Sequence, residues 1–239
     1  MAHAYLALDK MDQAVESATL AAEHAGEENR CYCRRIRALI LSQAGRTDDA
    51  IQECQGMLKD YRKWKDVRDV RNTLSSVYSA AKRSAEAAEQ LQLILEQDPN
   101  DATANNDLGY LWADEGRNLE EAEKLIRKAL TLDREERTKG KALGPDTDHD
   151  NAAYVDSLGW VLFRLGKLAE ARKELERAVT YADGRDDPVV WDHLGDVCSR
   201  LNDAARARAC WQKALELYDQ GHRRKNDDRY KEIKQKLKP

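Results

Sequence analysis

Small and apolar side chains return along the chain at a nearly constant interval, in blocks that predict helix-turn-helix repeats. Four blocks carry a leucine followed by a small residue on the first helix; these small residues are Ser75, Gly109, Gly159 and Gly195. A second series begins the second helix of each block, at steps of 36, 37, 35, 49 and 36 residues; it comprises Ala14, Ala50, Ala87, Ala122, Ala171 and Ala207. Self-similarity at this period predicts a stacked array of helical hairpins, each touching its neighbours.

The small residues have a packing role in this pattern. Gly109, Gly159 and Gly195 on the first helices are expected to face the alanine of the second helix, so that the two backbones approach closely. Bulky residues one turn further along the second helix, such as Leu175 and Trp211, are expected to fill the space between repeats. A single hairpin leaves an apolar face uncovered, so each repeat depends on its neighbours for stability.

Three segments carry the leucine-glycine pair, the turn and the alanines in the same order. They are NDLGYLWADEGRNLEEAEKLIRKAL, DSLGWVLFRLGKLAEARKELERAV and DHLGDVCSRLNDAARARACWQKAL, all between Asp101 and Tyr218. This pattern resembles the bacterial branch of the tetratricopeptide repeat family. The resemblance implies an all-α fold, a solenoid of stacked helical hairpins that forms a right-handed superhelix. Residues 29–65 fit less well, because Arg37 occupies the usual leucine position.

A final amphipathic helix is predicted from Asp227 to Leu237. Tyr230, Ile233 and Leu237 recur on one side of it and lysines cover the other, so it is expected to cap the last repeat. The predicted division of the chain is a partial repeat (1–28), repeats at 29–66, 67–100 and 101–134, an inserted loop (135–150), repeats at 151–186 and 187–221, and a capping helix (222–239).

One gap interrupts the period, because 50 residues separate Gly109 from Gly159. The surplus lies between Arg134 and Asp150, and its first half is compatible with an extension of the preceding helix. A loop is then predicted at Gly140, Gly144 and Pro145. The polar residues that follow it are Asp146, Asp148, His149 and Asp150. Their spacing matches no strong metal motif, so a solvated loop that caps the next helix, or touches a ligand, is favoured.

Composition narrows the class of partner. The net charge is −4 and no dense basic tract occurs, so no nucleic-acid partner is expected. No run approaches the roughly 18 apolar residues that a spanning helix needs, so no membrane insertion is predicted. The first residues align with the end of a first helix, which predicts a fragment of a longer protein. A cytoplasmic location is favoured, and the bacterial cell envelope stays open.

Five cysteines occur without a CxxC pair; they are Cys31, Cys33, Cys54, Cys198 and Cys210. Cys54 and Cys198 stand where other repeats carry large apolar residues, which predicts buried thiols that act as small hydrophobic side chains. The alternative is a disulfide between Cys198 and Cys210 within one hairpin. No cofactor or metal is predicted.

The first helices predict a face for a partner. Residues three before, one after and four after the glycine position share one side of each helix. The predicted partner-binding set on these rows is Arg35, Asn72, Asn106, Tyr110, Asp156, Trp160, Phe163, Asp192 and Asp196. The charge of this face changes from Arg35 to aspartates at the other end, so the basic or amide-rich part of a ligand is expected toward the C-terminal repeats.

Two interpretations of this face stay open. In one, Tyr110, Trp160 and Phe163 form an exposed aromatic patch beside the polar row, of the kind that anchors interfaces. In the other, the aromatics fill gaps between first helices and the polar row is solvated. One residue nearer the glycine stand Thr73, Asp107, Ser157 and His193. They lack the asparagine ladder of sugar-transferring relatives, and His193 is expected at the edge of the groove.

The predicted function is a scaffold that binds a peptide or helix of a partner protein in the concave groove. No phosphate-binding loop, HExxH motif or nucleophile elbow occurs in the sequence, so no enzymatic activity is predicted. The alternatives are a non-catalytic repeat region of a larger enzyme or envelope protein, and a homo-oligomerisation module.

Overall fold

The computed structural model describes residues 1–139, 149–224 and 228–238, and every regular element in these ranges is helical. The predicted loop residues Gly140, Gly144, Pro145, Asp146 and Asp148 lie outside the described residues, as does Asp227. The chain divides into two compact units, an N-terminal unit (Met1–Pro99) and a C-terminal unit (Asn100–Pro239).

The N-terminal unit contains three helical hairpins. Its helices are α1 (Ala2–Ala7), α2 (Met11–His24), α3 (Glu27–Gln43), α4 (Thr47–Asp60), α5 (Trp64–Ala80) and α6 (Ser84–Gln97). Each first helix packs on its own second helix, and α3 also packs on α5. The alanines that begin the second helices, Ala14, Ala50 and Ala87, are fully buried.

The C-terminal unit continues the same alternation with three further hairpins. Its helices are α7 (Ala102–Glu115), α8 (Leu119–Thr138), α9 (Ala152–Arg164), α10 (Leu168–Ala178), α11 (Ala182–Arg185), α12 (Pro188–Arg200), α13 (Ala204–Asp219) and α14 (Asp228–Lys236). The first helices α7 and α9 pack against each other, as do α9 and α12. The short helix α11 is not predicted by the sequence pattern. The all-α hairpin fold is confirmed in both units.

The glycines on the first helices allow the second helix to approach closely, and most of the nearest atoms belong to a large residue beyond the alanine. A Cβ atom added at Gly159 would lie 2.5 Å from Cγ of Leu175, and one added at Gly109 would lie 2.7 Å from Cγ1 of Ile126. At Gly109 the added atom would also lie 2.9 Å from the backbone oxygen of Ala122, which is the approach to the alanine that the sequence predicts. At Gly159 the close neighbour is the large residue one turn beyond the alanine.

Helix α8 continues through Thr138 into the inserted segment, as the sequence predicts. At the other end of the insertion, Asp150 accepts hydrogen bonds from Nη1 of Arg177 at 2.6 Å and Nη1 of Arg134 at 3.1 Å. The ring of His149 stacks on Tyr181, with 4.4 Å between ring centroids. The described end of the inserted segment is therefore tied to α8 and α10.

The five cysteines are free thiols, and four of them are buried. Burial raises the pKa of Cys54 to about 12 and that of Cys210 to about 11. Cys198 and Cys210 are not joined, so the disulfide alternative is not realised here.

Helix α14 packs on α13 through Ile233, which is fully buried beside Ala214 and Tyr218. Tyr230 and Leu237 flank this contact, as the amphipathic pattern predicts. The polar side of α14 is not entirely solvated, however, because Lys236 turns back onto α12.

Candidate partner-binding face

In the N-terminal unit, the predicted binding residue Arg35 contacts the next first helix. Its Nε donates to Oγ1 of Thr73 at 2.9 Å, and its Nη1 donates to Oδ2 of Asp69 at 2.9 Å. Asn72 is half-buried, and its Oδ1 is a buried acceptor without a hydrogen-bond partner. Arg35 therefore links two repeats, while Asn72 keeps an acceptor available.

In the C-terminal unit, Asp156 is bound by the next repeat in the same manner. Its Oδ1 lies 2.8 Å from Nδ1 of His193, and both side chains are buried. His193 is 0% exposed, so the expectation that it lies at the edge of the groove is wrong. The first helices α9 and α12 pack closely enough to enclose it, and the Asp156 carboxylate satisfies one ring nitrogen.

The aromatic residues pack as a column rather than an open patch. Trp160 stacks on His193 with 4.2 Å between centroids, and Phe163 stacks on Trp160 with 5.1 Å. Trp160 is 8% exposed, whereas Tyr110 and Phe163 are half-buried. The expectation of an exposed patch is therefore wrong for Trp160, because the imidazole of the following repeat covers its face. Its indole fills the gap between first helices.

The two acidic residues nearest the C-terminus are occupied by α14. The Asp192 carboxylate is fully buried and accepts from Nη1 of Arg229 at 3.0 Å and from Nζ of Lys236 at 2.8 Å. Lys236 also pairs with Asp196 at 2.6 Å, and Nε1 of Trp211 donates to Asp196 at 3.1 Å. Asp192 is therefore not free to contact a partner, because two cations of the capping helix already bind its carboxylate.

The sequence carried a signal for this contact that the repeat analysis missed. Arg229 lies 37 residues after Asp192, the separation that also joins Asp156 to His193. Helix α14 therefore places Arg229 where a further first helix would place its own residue. The capping helix therefore occupies the position of a further first helix.

A polar cavity of about 580 Å³ lies on the first-helix side of the C-terminal unit. Asn106, Asp107 and Tyr110 of α7 form one wall, and Asp156 of α9 lies on another. The remaining lining comes from the start of α9, from α11, from the start of α12, and from Arg223 and Arg229. The predicted residues Asn106, Tyr110 and Asp156 thus meet at one site, while Asp107, Arg223 and Arg229 were not predicted there.

Asp107 is the most perturbed carboxyl in this cavity wall. Burial raises its pKa to about 6, although a hydrogen bond from Nδ2 of Asn106 at 3.0 Å lowers it in part and Asp101 raises it further. Burial also raises the pKa of Tyr110 well above its ordinary value. At the rim, Nη2 of Arg223 donates to Oδ2 of Asp187 at 3.3 Å. The cavity therefore combines acceptors that water solvates poorly with arginines that are already paired.

The chemistry available here is recognition through hydrogen bonds and charge. Among the described residues, no group of three or more histidine, cysteine, aspartate or glutamate side chains is placed to hold a metal ion. No described helix is long and apolar enough to cross a membrane.

Family models agree with the observed hairpins. A model described as tetratricopeptide repeat matches residues 73–136, and a second of the same description matches residues 154–184 and 189–220. The chain is a tetratricopeptide repeat protein. A TPR repeat-containing protein of Pseudomonas aeruginosa is 32% identical to it over 164 residues, or 67% of this chain. The chain spans about a quarter of that relative, since the match covers 24% of its length.

Several solved structures share the fold of this chain. BtubC from P. vanneervenii superposes with a TM-score of 0.61 at 21% identity, covering 88% of this chain and 89% of that one. A thermophilic TPR protein of Thermus thermophilus gives 0.61 at 18% identity, covering 78% and 91%. PilF of Pseudomonas aeruginosa gives 0.57 at 18% identity, covering 89% of each chain. These likenesses establish the architecture, and the repeat type is that of protein-interaction scaffolds.

Proposed function

We propose that the chain is a non-catalytic scaffold whose C-terminal unit holds an extended segment or helix of a partner protein against its first helices. The observation that carries this proposal is the cavity of about 580 Å³, in which polar groups of α7, α9 and α14 converge. A concave site with a few convergent polar groups is the usual form of a binding pocket. In a repeat array, such surfaces hold other molecules.

The predicted binding residues have different roles in this proposal. Asn106, Tyr110 and Asp156 line the cavity and contact the partner, and Phe163 extends the surface from its half-buried place. The other members in this unit support the site from behind; they are Trp160, Asp192 and Asp196. In the N-terminal unit, Asn72 offers a second acceptor of the same kind, and Arg35 fixes its neighbouring helix.

A pair of matched variants tests the proposal. Ala153 is exposed, lines the cavity and is the second residue of α9, so Ala153→Trp fills the site without disturbing the core. Ala205 is exposed at the same position of α13, a second helix, so Ala205→Trp is the control. Both helices have a side-chain cap.

The experiment is affinity capture with the immobilised intact chain, followed by titration of the captured protein against both variants. Loss of affinity in Ala153→Trp and retention in Ala205→Trp supports the cavity as the binding site. Equal affinity of the two variants contradicts it.

Self-association is a second candidate, favoured by an apolar groove in the N-terminal unit. Leu20 of α2 and Tyr32 of α3 are 49% and 60% exposed. They line a groove of about 470 Å³ together with other residues of α1, α2 and α3. A second copy of the chain is the proposed occupant. Light scattering over a range of concentrations tests it, and a constant monomer mass, unchanged by Tyr32→Lys, rejects it.

A further inference from the structure

We propose that the cavity of the C-terminal unit takes a basic side chain of the partner, lysine or arginine, with Asp107 and Asn106 as the pair that recognises it. This inference rests on the proposed function and specifies its ligand chemistry. The two residues are adjacent on α7 and are joined by the 3.0 Å hydrogen bond from Nδ2 of Asn106 to Oδ1 of Asp107.

The first step concerns the carboxylates that line the cavity. Asp156 already has His193 at 2.8 Å, and Asp187 already has Arg223 at 3.3 Å. Asp183 is exposed to water. Asp107 is half-buried and receives a neutral amide donor, with no cation paired to it in the described part of the chain. Asp107 is therefore the carboxylate of this site that lacks a cation, and a cationic ligand would pair with it.

The second step concerns Asn106, which is 6% exposed and lines the cavity. Its Oδ1 is a buried acceptor without a partner, and such acceptors are rare because each one loses a hydrogen bond to water. The amide orientation is fixed, since Nδ2 must face the carboxylate oxygen of Asp107. Oδ1 is therefore an unsatisfied acceptor in a residue of the cavity wall, and a donor bound in the cavity would satisfy it.

The third step explains why the protein itself does not supply this donor. The residue three before the glycine position is contacted by the next repeat in three cases, Arg35 by Thr73, Asp156 by His193 and Asp192 by Arg229. For Asn106 the equivalent residue is Ser157, whose hydroxyl donates instead to the backbone oxygen of Ala153 at 2.9 Å. The interface position at Asn106 is thus left without its internal partner.

A basic side chain fits both acceptors. A lysine ammonium carries three donors and an arginine guanidinium five, so either reaches Oδ1 of Asn106 and the carboxylate of Asp107 together. A charged donor to a carboxylate also gives the stronger class of hydrogen bond. A neutral side chain leaves Asp107 desolvated without a counter-charge, and an acidic one adds repulsion from the surrounding aspartates. The raised pKa of Asp107 agrees with a carboxylate that lacks a cation.

The test uses two peptides and two variants. The probes are a capped tripeptide of alanine-lysine-alanine and its norleucine analogue, titrated into the ¹⁵N-labelled chain and followed by NMR. Asp107→Asn removes the charge with little change of shape. Asp183→Asn is the control, because it makes the same charge change at an exposed position of the same cavity.

The lysine peptide is expected to saturate shifts of the α7 amides, whereas the norleucine peptide leaves them unchanged. Asp107→Asn is expected to weaken the lysine peptide about tenfold or more, and Asp183→Asn less than about twofold. Equal binding of the two peptides, or equal weakening by the two variants, overturns the inference. Circular dichroism confirms that both variants are folded.

A failure of this inference can be distinguished from a failure of the proposed function. If Ala153→Trp abolishes partner binding while Asp107→Asn preserves both partner and lysine-peptide binding, the cavity binds by another chemistry and this inference fails alone. If Ala153→Trp preserves partner binding, the proposed function fails, whatever the peptides show.

Discussion

The buried Asp192 carboxylate provides a sharp test of the role of α14. It is 0% exposed and is neutralised by Arg229 and Lys236, whose side chains are 21% and 26% exposed. Replacing both cations with methionine keeps most of their apolar length and removes both charges. The double variant Arg229→Met with Lys236→Met therefore leaves the buried Asp192 carboxylate without a cation, and it also removes Lys236 from Asp196.

The size of the effect follows from burial. Breaking a buried ion pair by removing its partner costs about 3–5 kcal/mol, because the remaining charge is desolvated. Undocking of α14 gives water access to Asp192 and limits the loss to the free energy that holds this helix. Since one side chain of α14, Ile233, is fully buried, we expect a loss near the lower end, about 3 kcal/mol.

The assay is urea unfolding followed by circular dichroism, with amide hydrogen exchange to locate the change. Adding Asp192→Asn to the double variant is expected to restore part of the loss, because the fully buried uncompensated charge is gone, while Asp196 still lacks Lys236 and keeps only the Trp211 donor. Lys231→Met is the matched control, since Lys231 is 65% exposed and pairs with Asp228 on its own helix. A double variant within about 1 kcal/mol of the parent, as expected of a surface pair, refutes the reasoning.

Three further predictions concern separate parts of the chain. Because burial raises the pKa of Asp107 to about 6, the folded state holds a proton between about pH 4 and pH 6 that the unfolded chain releases, and stability falls as the pH rises through this window. Asp107→Asn should therefore stabilise the protein by on the order of 2 kcal/mol near pH 7, with the gain lost near pH 4 in urea titrations. Gly159→Ala should destabilise by about 1–3 kcal/mol through overpacking, whereas Gly56→Ala, at an open helical position, should stabilise by about 0.5–1 kcal/mol in thermal unfolding. Cys33, which is partly exposed, should be alkylated before the fully buried Cys54 in timed mass spectrometry, and equal rates would contradict the described burial.

The repeat architecture follows from sequence because it rests on local patterns. The leucine-glycine pairs and the alanines, at steps near 36 residues, indicate where each hairpin begins and which sides of its two helices pack together. Apolar periodicity also located α14, which differs from its predicted bounds by one residue at the described end. These features depend on residues within one hairpin or in adjacent ones, where spacing alone fixes the neighbours.

The binding face was harder to predict, because helical spacing gives the side of a helix and not the distance to the next one. Trp160 and Phe163 share the predicted side with Tyr110, yet His193 from the following repeat covers the indole. Likewise, the sequence alone suggests that Asp192 is solvated. The structure instead places Arg229, one repeat further along the chain, against its carboxylate. Burial on a first helix therefore has to be judged from pairs of residues about 37 positions apart.

The polar pairs between repeats also explain why the site lies where it does. Paired charges inside a protein add little net stability, but an unpaired one is costly, so each pair favours one neighbour and one register over others. Two such pairs lie at consecutive junctions between repeats and favour the observed register there; they are Asp156 with His193 and Asp192 with Arg229. At the junction after Asn106, where the inserted segment separates the repeats, Ser157 turns to its own helix instead. Within the C-terminal unit, cations of α14 thus satisfy Asp192, whereas Asn106 keeps an acceptor without an internal partner, and this is the junction at which the proposed basic side chain gains the most.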